Sequence, residues 1–203
     1  MADIEHLRAG VRASLPELAD FTDQDLATKI VDAWALSLSQ TEFERIEDMP
    51  GSANPDSPAL REGTQATHVR GVGLLTVALG EELQRVLGPL GLDRDVLYAA
   101  GVLHDLGKPF ENSPANQARW KADPGKAGFP AIRHSVYGVH IALTVGLPEE
   151  LAHVCGTHSG EGQLVYRSTL NSIVHHADHA FWAAAEKGGL LDMDPADRWT
   201  KTG

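Results

Sequence analysis

The sequence predicts an all-α fold. Apolar residues recur at helical spacing in several stretches, and most of these begin at a capping residue. No segment shows the alternation of a half-buried strand, and there is no internal repeat or low-complexity tract.

Residues 3 to 13 read as a short amphipathic helix ending near Ser14-Leu15-Pro16. Thr22-Asp23-Gln24-Asp25 looks like a capping box, and Leu26, Ile30, Val31, Trp34 and Leu38 follow at helical spacing. Residues 48 to 63, rich in Pro, Gly and Ser, read as a loop: a connection or a lid. Thr64 starts a helix whose buried face is expected to carry Val69, Val72, Leu75, Leu79, Leu83 and Val86, and Gly88-Pro89 ends it. Asp93 caps the helix leading into His104, which Gly107 and Pro109 terminate. Residues 109 to 131 read as a long irregular insert, and a loop of that length in a compact domain is more often functional than idle. A helix from about Ser135 to Val145 breaks at Gly146. Pro148 stands as the first residue of the next helix, which runs to about His158. Ser168 or Thr169 caps a last long helix to about Lys187, stopped by Gly188-Gly189.

The chain has 203 residues, 42% of them hydrophobic, which suits one domain with a real core. Its start is acidic and lacks the basic and apolar regions of a signal peptide. No apolar run approaches the ~20 residues that span a bilayer. The expectation is a soluble, cytoplasmic protein. One cysteine, Cys155, excludes an internal disulfide and a cysteine-based zinc site, and reads as a small core residue. A net charge of −11 argues against a nucleic-acid polymer or an anionic membrane as partner. A small anionic substrate fits, because bound cations invert the local field.

Of ten histidines, only His6 lies outside residues 68 to 179. His104-Asp105 is set in an apolar run, and burying that pair is costly unless something pairs it. His68, His104, Asp105, His134, His158 and Asp178 fall at ends or inward faces of successive expected helices. Asp178 has Val174, Phe181 and Trp182 within one turn, so its carboxylate faces inward. Gly71 and Gly73 beside His68, and Gly101 before His104, let helices approach closely. Metal sites in helical bundles are built this way. Imidazole and carboxylate suit iron, zinc, manganese, cobalt or nickel. Six ligands exceed one tetrahedral site, so two ions about 3.5–4 Å apart are expected, with Asp105 or Asp178 as the bridge. Lys108, one turn past His104, and Arg133, beside His134, are candidate clamps for an anion. His140, His153, His175, His176 and His179 read as structural, with His175 placed to support Asp178.

These residues resemble the HD-domain superfamily of metal-dependent phosphohydrolases, whose pattern is a His, a His-Asp doublet and a distal Asp, with two further histidines in two-metal members. Here the pattern is met by His68, by Leu103-His104-Asp105-Leu106-Gly107-Lys108, by Arg133-His134-Ser135-Val136-Tyr137-Gly138, by His158 and by His176-Ala177-Asp178-His179, across about residues 64 to 185. The resemblance implies an HD-domain helical bundle over 64–187, an N-terminal helical extension and loop over 1–63, and a C-terminal tail over 188–203. It implies one ion on His68, His104, Asp105 and Asp178, and a second on His134 and His158, bridged by Asp105. Ser159-Gly160-Glu161-Gly162 follows His158 without a Gly-Tyr-Pro, unlike the cyclic-di-GMP phosphodiesterase branch. With no partner domain in these 203 residues, a synthetase-coupled alarmone hydrolase is not the expectation.

The leading functional expectation is hydrolysis of a nucleotide or other small phosphate ester, with Asp105 and Lys108 in the chemistry and Lys108 and Arg133 on the substrate. The alternative is a mixed-valent di-iron oxygenase, which shares the four-His, two-Asp set and a Lys after the doublet and cleaves a C–C or C–P bond. A regulatory module that kept its metals is a third reading. The reading leaves room for a homodimer. Specificity is expected in residues 109 to 131, including Phe110, Glu111, Asn112 and Trp120, and in the 48–63 loop.

Overall fold

Residues 3–55 and 57–193 are described by a computed structural model. The chain is all-α apart from one small antiparallel pair of strands. Helices α1 (Ile4–Ser14) and α2 (Gln24–Ser39) come first. The strands β1 (Pro50–Ser52) and β2 (Ala59–Thr64) follow, and then α3 (Gln65–Leu87) and α4 (Arg94–Leu103). Three short helices, α5 (Lys108–Asn112), α6 (Pro114–Ala122) and α7 (Pro124–Ala127), precede α8 (His134–Thr144), α9 (Glu149–Thr157) and α10 (Thr169–Lys187).

The central packing is α3 against α4 and α10, with α9 behind α4 and α8 against α9. Small residues set the closest approaches. A Cβ on Gly101 of α4 would lie 2.6 Å from the Cα of Gly73, and one on Gly71 would lie 2.7 Å from the Phe181 ring of α10. That line of approach decides which face of α3 is buried. Val69, Val72, Gly73, Thr76, Val77 and Gly80 lie inward, whereas Leu79 and Leu83 are half-buried. Leu75 and Val86, expected inside, are 40% and 65% exposed.

The N-terminal helices share the core. Trp34 of α2 is fully buried and donates its Nε1–H to Val102 O at 3.2 Å. Ser37 donates to Leu106 O at 2.7 Å, so α2 supports the His104-Asp105 turn from behind. Asp23, rather than Thr22, caps α2, by accepting from Leu26 N at 2.9 Å. Thr22 instead gives both its N–H and its hydroxyl to Asp95 on α4, at 2.8 and 2.7 Å.

Two loop expectations are corrected. The insert at 109–131 carries α5, α6 and α7, because its prolines open helices instead of breaking them: Ser113 and Asp123 cap Pro114–Ala122 and Pro124–Ala127. The 48–63 loop contains β1 and β2, paired Pro50 to Thr64 and Ser52 to Ala59, where Gly51 leaves room for the Leu60 side chain. Pro148 is the N-cap of α9, one place earlier than expected. In the expected tail, Leu191 bridges to Leu60 beside β2, while residues 194–203 of that tail lie outside the described residues. Among the described residues no helix is long and apolar enough to cross a membrane.

Candidate metal centre

All six residues of the expected ligand set meet in one place. His68 comes from α3, and His104 and Asp105 come from the turn after α4. His134 opens α8, His158 follows α9, and Asp178 lies in the middle of α10. The four imidazoles and Asp105 are buried, and the Asp178 side chain is 15% exposed.

Asp105 is the hub, and its two oxygens face different partners. Oδ2 lies 3.3 Å from His68 Nε2 and 3.4 Å from His104 Nε2. Oδ1 lies 3.5 Å from His134 Nε2 and 3.7 Å from His158 Nε2. Asp178 Oδ1 closes the first group, 3.4 Å from His68 Nε2 and 3.9 Å from His104 Nε2. Within the groups, Nε2 atoms face each other, at 3.0 Å for His68 and His104 and 3.4 Å for His134 and His158.

The outer contacts fix which nitrogen carries the proton. His104 Nδ1 donates to Gly101 O at 2.6 Å, His158 Nδ1 to Val154 O and Cys155 O at 3.2 and 3.1 Å, and His134 Nδ1 to Glu111 Oε2 at 2.6 Å. Carbonyls and carboxylates only accept, so these Nδ1 atoms carry a hydrogen, and each ring turns its Nε2 to the centre. Among the described residues His68 Nδ1 has no acceptor; its ring is held by Trp182 and Phe181, with centroids 4.6 and 4.9 Å away. Gln65, fully buried, donates to Asp105 Oδ2 at 2.8 Å.

The electrostatics call for a cation. Burial opposes charge on Asp105, yet His104 and Lys108 hold its carboxyl well below the usual range. Burial likewise works against charge on His104, but Asp105 and Asp178 push it up to about 9. Burial, together with His104 and His134, holds His158 far below the ordinary histidine value, so it offers a lone pair. Asp178 Oδ1 is buried without a hydrogen-bond partner. Facing imidazole nitrogens, two carboxylates and an orphaned carboxylate oxygen fit a divalent ion. Two donor sets lie within 4.8 Å: His68, His104 and Asp178, and His104, Asp105 and His158.

A pocket of about 360 Å³ opens onto this cluster. Asp105, His134, His158 and Asp178 form its floor, and Ala53, Asn54, Arg133, Ser159, Gly160, His179 and Trp182 complete its lining. A family model described as HD domain matches residues 66–183, more than half of the chain. The chain belongs to the HD domain family. No curated protein and no solved structure matches it. The HD domain is a helical fold of the metal-dependent phosphohydrolase type, and its first matched residue lies two before His68.

The two expected anion clamps are placed differently. Arg133 lines the pocket, its Nη1 donating to Glu111 Oε1 at 3.0 Å and its Nε to Glu161 Oε1 at 3.1 Å. Lys108 is 1% exposed and is absent from the pocket lining; its Nζ donates to Ala53 O at 2.6 Å. Expected as an anion clamp, it meets the loop instead of lining the pocket.

The insert supplies no lining residue of this pocket. Phe110 stacks on Tyr137 at 3.9 Å, and Trp120 is buried beside Phe110. Among the described residues of the 48–63 loop, Ala53 and Asn54 reach the wall. His179 and Trp182, not singled out for the pocket from sequence, sit one and four places after Asp178; that helical spacing was their available signal. His175 supports the site at His158, donating Nδ1–H to its carbonyl at 2.5 Å. Cys155 is structural: burial pushes its thiol up to about 12, and Sγ donates to Leu103 O.

Proposed function

We propose that this HD domain is a metal-dependent phosphohydrolase acting on a nucleotide or other small phosphate ester at a two-ion site. The observation that carries the reading is the division of Asp105, one oxygen toward His68 and His104 and the other toward His134 and His158. His68, His104, Asp105 and Asp178 would hold one ion, and His134, His158 and Asp105 the second. Bound divalent ions lower the pKa of a coordinated water toward ~7 and neutralise phosphoryl oxygens.

The chain's own residues do the rest. Asp105 stays ionised beside His104 and Lys108 and is the shared ligand. Arg133 stands at the pocket wall next to His134 and meets the anionic substrate. Lys108 acts through its charge on Asp105 and by holding the Ala53 carbonyl at the pocket rim. Trp182 and His179 form the wall at the α10 side.

The test is Asp105→Ala. Metal content and turnover of a phosphoester panel are both expected to be lost. Unchanged metal content in that variant would overturn the assignment.

A second reading, the di-iron oxygenase, is favoured by one observation: the six donors comprise four imidazoles and two carboxylates and no sulfur, a set that suits iron as well as zinc or manganese. Two irons per chain with a mixed-valent EPR signal, and oxygen uptake with a polyol or phosphonate, would replace the hydrolase by this reading.

A further inference from the structure

The geometry points to Glu111 as a positioning residue that sets the affinity of the second ion position by orienting and polarising His134. The inference rests on the two-ion reading above.

Glu111 lies on α5, six residues past Asp105, and is fully buried. Its carboxylate is divided between two consecutive residues at the start of α8. Oε2 accepts from His134 Nδ1 at 2.6 Å, and Oε1 accepts from Arg133 Nη1 at 3.0 Å. Lys108 Nζ lies 3.8 Å from Oε2. A buried carboxylate is costly unless its oxygens are satisfied, and here both oxygens are.

The four central imidazoles are not supported alike. His104 and His158 donate their Nδ1–H to main-chain carbonyls, and His68 Nδ1 has no acceptor among the described residues. Among the described residues His134 alone of the four gives its Nδ1–H to a carboxylate. An anionic acceptor at Nδ1 raises electron density at Nε2 and locks the ring, so His134 is the stronger donor toward a cation. Among the described residues Glu111 makes no hydrogen bond or ion pair with His68, His104 or Asp178, so its effect falls on one ion position and spares the other.

Isothermal titration of metal-free protein with Co²⁺ reads this directly. The wild type should take up two equivalents in two phases. Glu111→Gln keeps the shape and one acceptor but removes the charge. It should leave the first phase unchanged and weaken the second by about 10–100-fold, the usual effect of losing such a partner. Glu111→Asp, which keeps the charge, should lie between them, and it carries the test if Glu111→Gln loses its helical circular dichroism. An unchanged second phase in the variant, with two phases in the wild type, overturns the role of Glu111 alone. Equal weakening of both phases overturns it too, since that is a general structural effect. A single equivalent in the wild type overturns the two-ion reading and this inference with it.

Discussion

His68 and His104 face each other with their Nε2 atoms 3.0 Å apart. The carboxylates of Asp105 and Asp178 stand 3.3 to 3.9 Å from the same two atoms. Such a cluster is stabilised by a cation at its centre. A divalent ion at about 100 times its Kd adds about 2.7 kcal/mol to the folded state. For a chain of this length that is roughly 5–10 °C in Tm. Thermal melting of metal-free protein with and without added Mn²⁺ or Zn²⁺ checks it. His104→Ala is expected to shrink the shift, and a wild type whose Tm ignores metal would contradict it.

Gly107 sets the distance between the two halves of the centre. A Cβ there would fall 2.0 Å from His134 O and 2.8 Å from Gly138 N. These are backbone atoms of α8 and cannot swing away. Gly107→Ala must push the start of α8, and His134 with it, away from Asp105. The expected cost is about 1–3 kcal/mol or more, as for other overpacked sites. The second equivalent of metal should be lost along with stability. Chemical denaturation and a metal count on the same sample test both; a variant with wild-type values for each would contradict the contact.

Asp95 fastens the N-terminal helices to α4. Its Oδ2 accepts from Thr22 N, Thr22 Oγ1 and Asp23 N at 2.8, 2.7 and 2.9 Å. Asp95→Ala removes three part-buried hydrogen bonds to a carboxylate, which costs about 1–3 kcal/mol. Urea unfolding should show a lower midpoint with an unchanged slope. An unaltered midpoint would mean that water replaces the carboxylate at no cost.

Glu161 gives the rim of the pocket a pH dependence. Burial works against its charge, but hydrogen bonds from Ser159, its own backbone N–H and Arg133 hold its carboxyl down at about 2, against an ordinary 4.5. Because the folded value is depressed, its contribution is fully present above about pH 4.5 and is lost as pH falls toward about 2. In metal-free protein, Glu161→Gln should melt below the wild type at neutral pH. The gap should close as the pH is lowered through that window. A gap independent of pH would contradict the assignment.

The order of the helices and the six converging residues were legible because local signals carry them. Caps such as Asp93 and Ser168 and the inward face around Asp178 do not depend on distant partners. The insert reads as irregular from its prolines, yet Ser113 and Asp123 in front of Pro114 and Pro124 make each a helix start. The face of α3 was misjudged because apolar character at Leu75 and Val86 outweighed the small residues Gly73 and Gly80, which mark where α4 packs. Lys108 reads from sequence as a candidate anion clamp, and only the tertiary return of Ala53 shows what its Nζ meets. Glu111 stands in the stretch expected to carry specificity, but its link to His134 was not legible, since its hydrogen-bonding partners Arg133 and His134 lie 22 and 23 residues away.

The most direct test of the two-ion centre is the metal content of natively purified protein by elemental analysis. Two divalent ions per chain, falling to none in Asp105→Ala, is the result expected from a carboxylate whose oxygens face both histidine pairs. A turnover-competent wild type that holds one ion or none would contradict it.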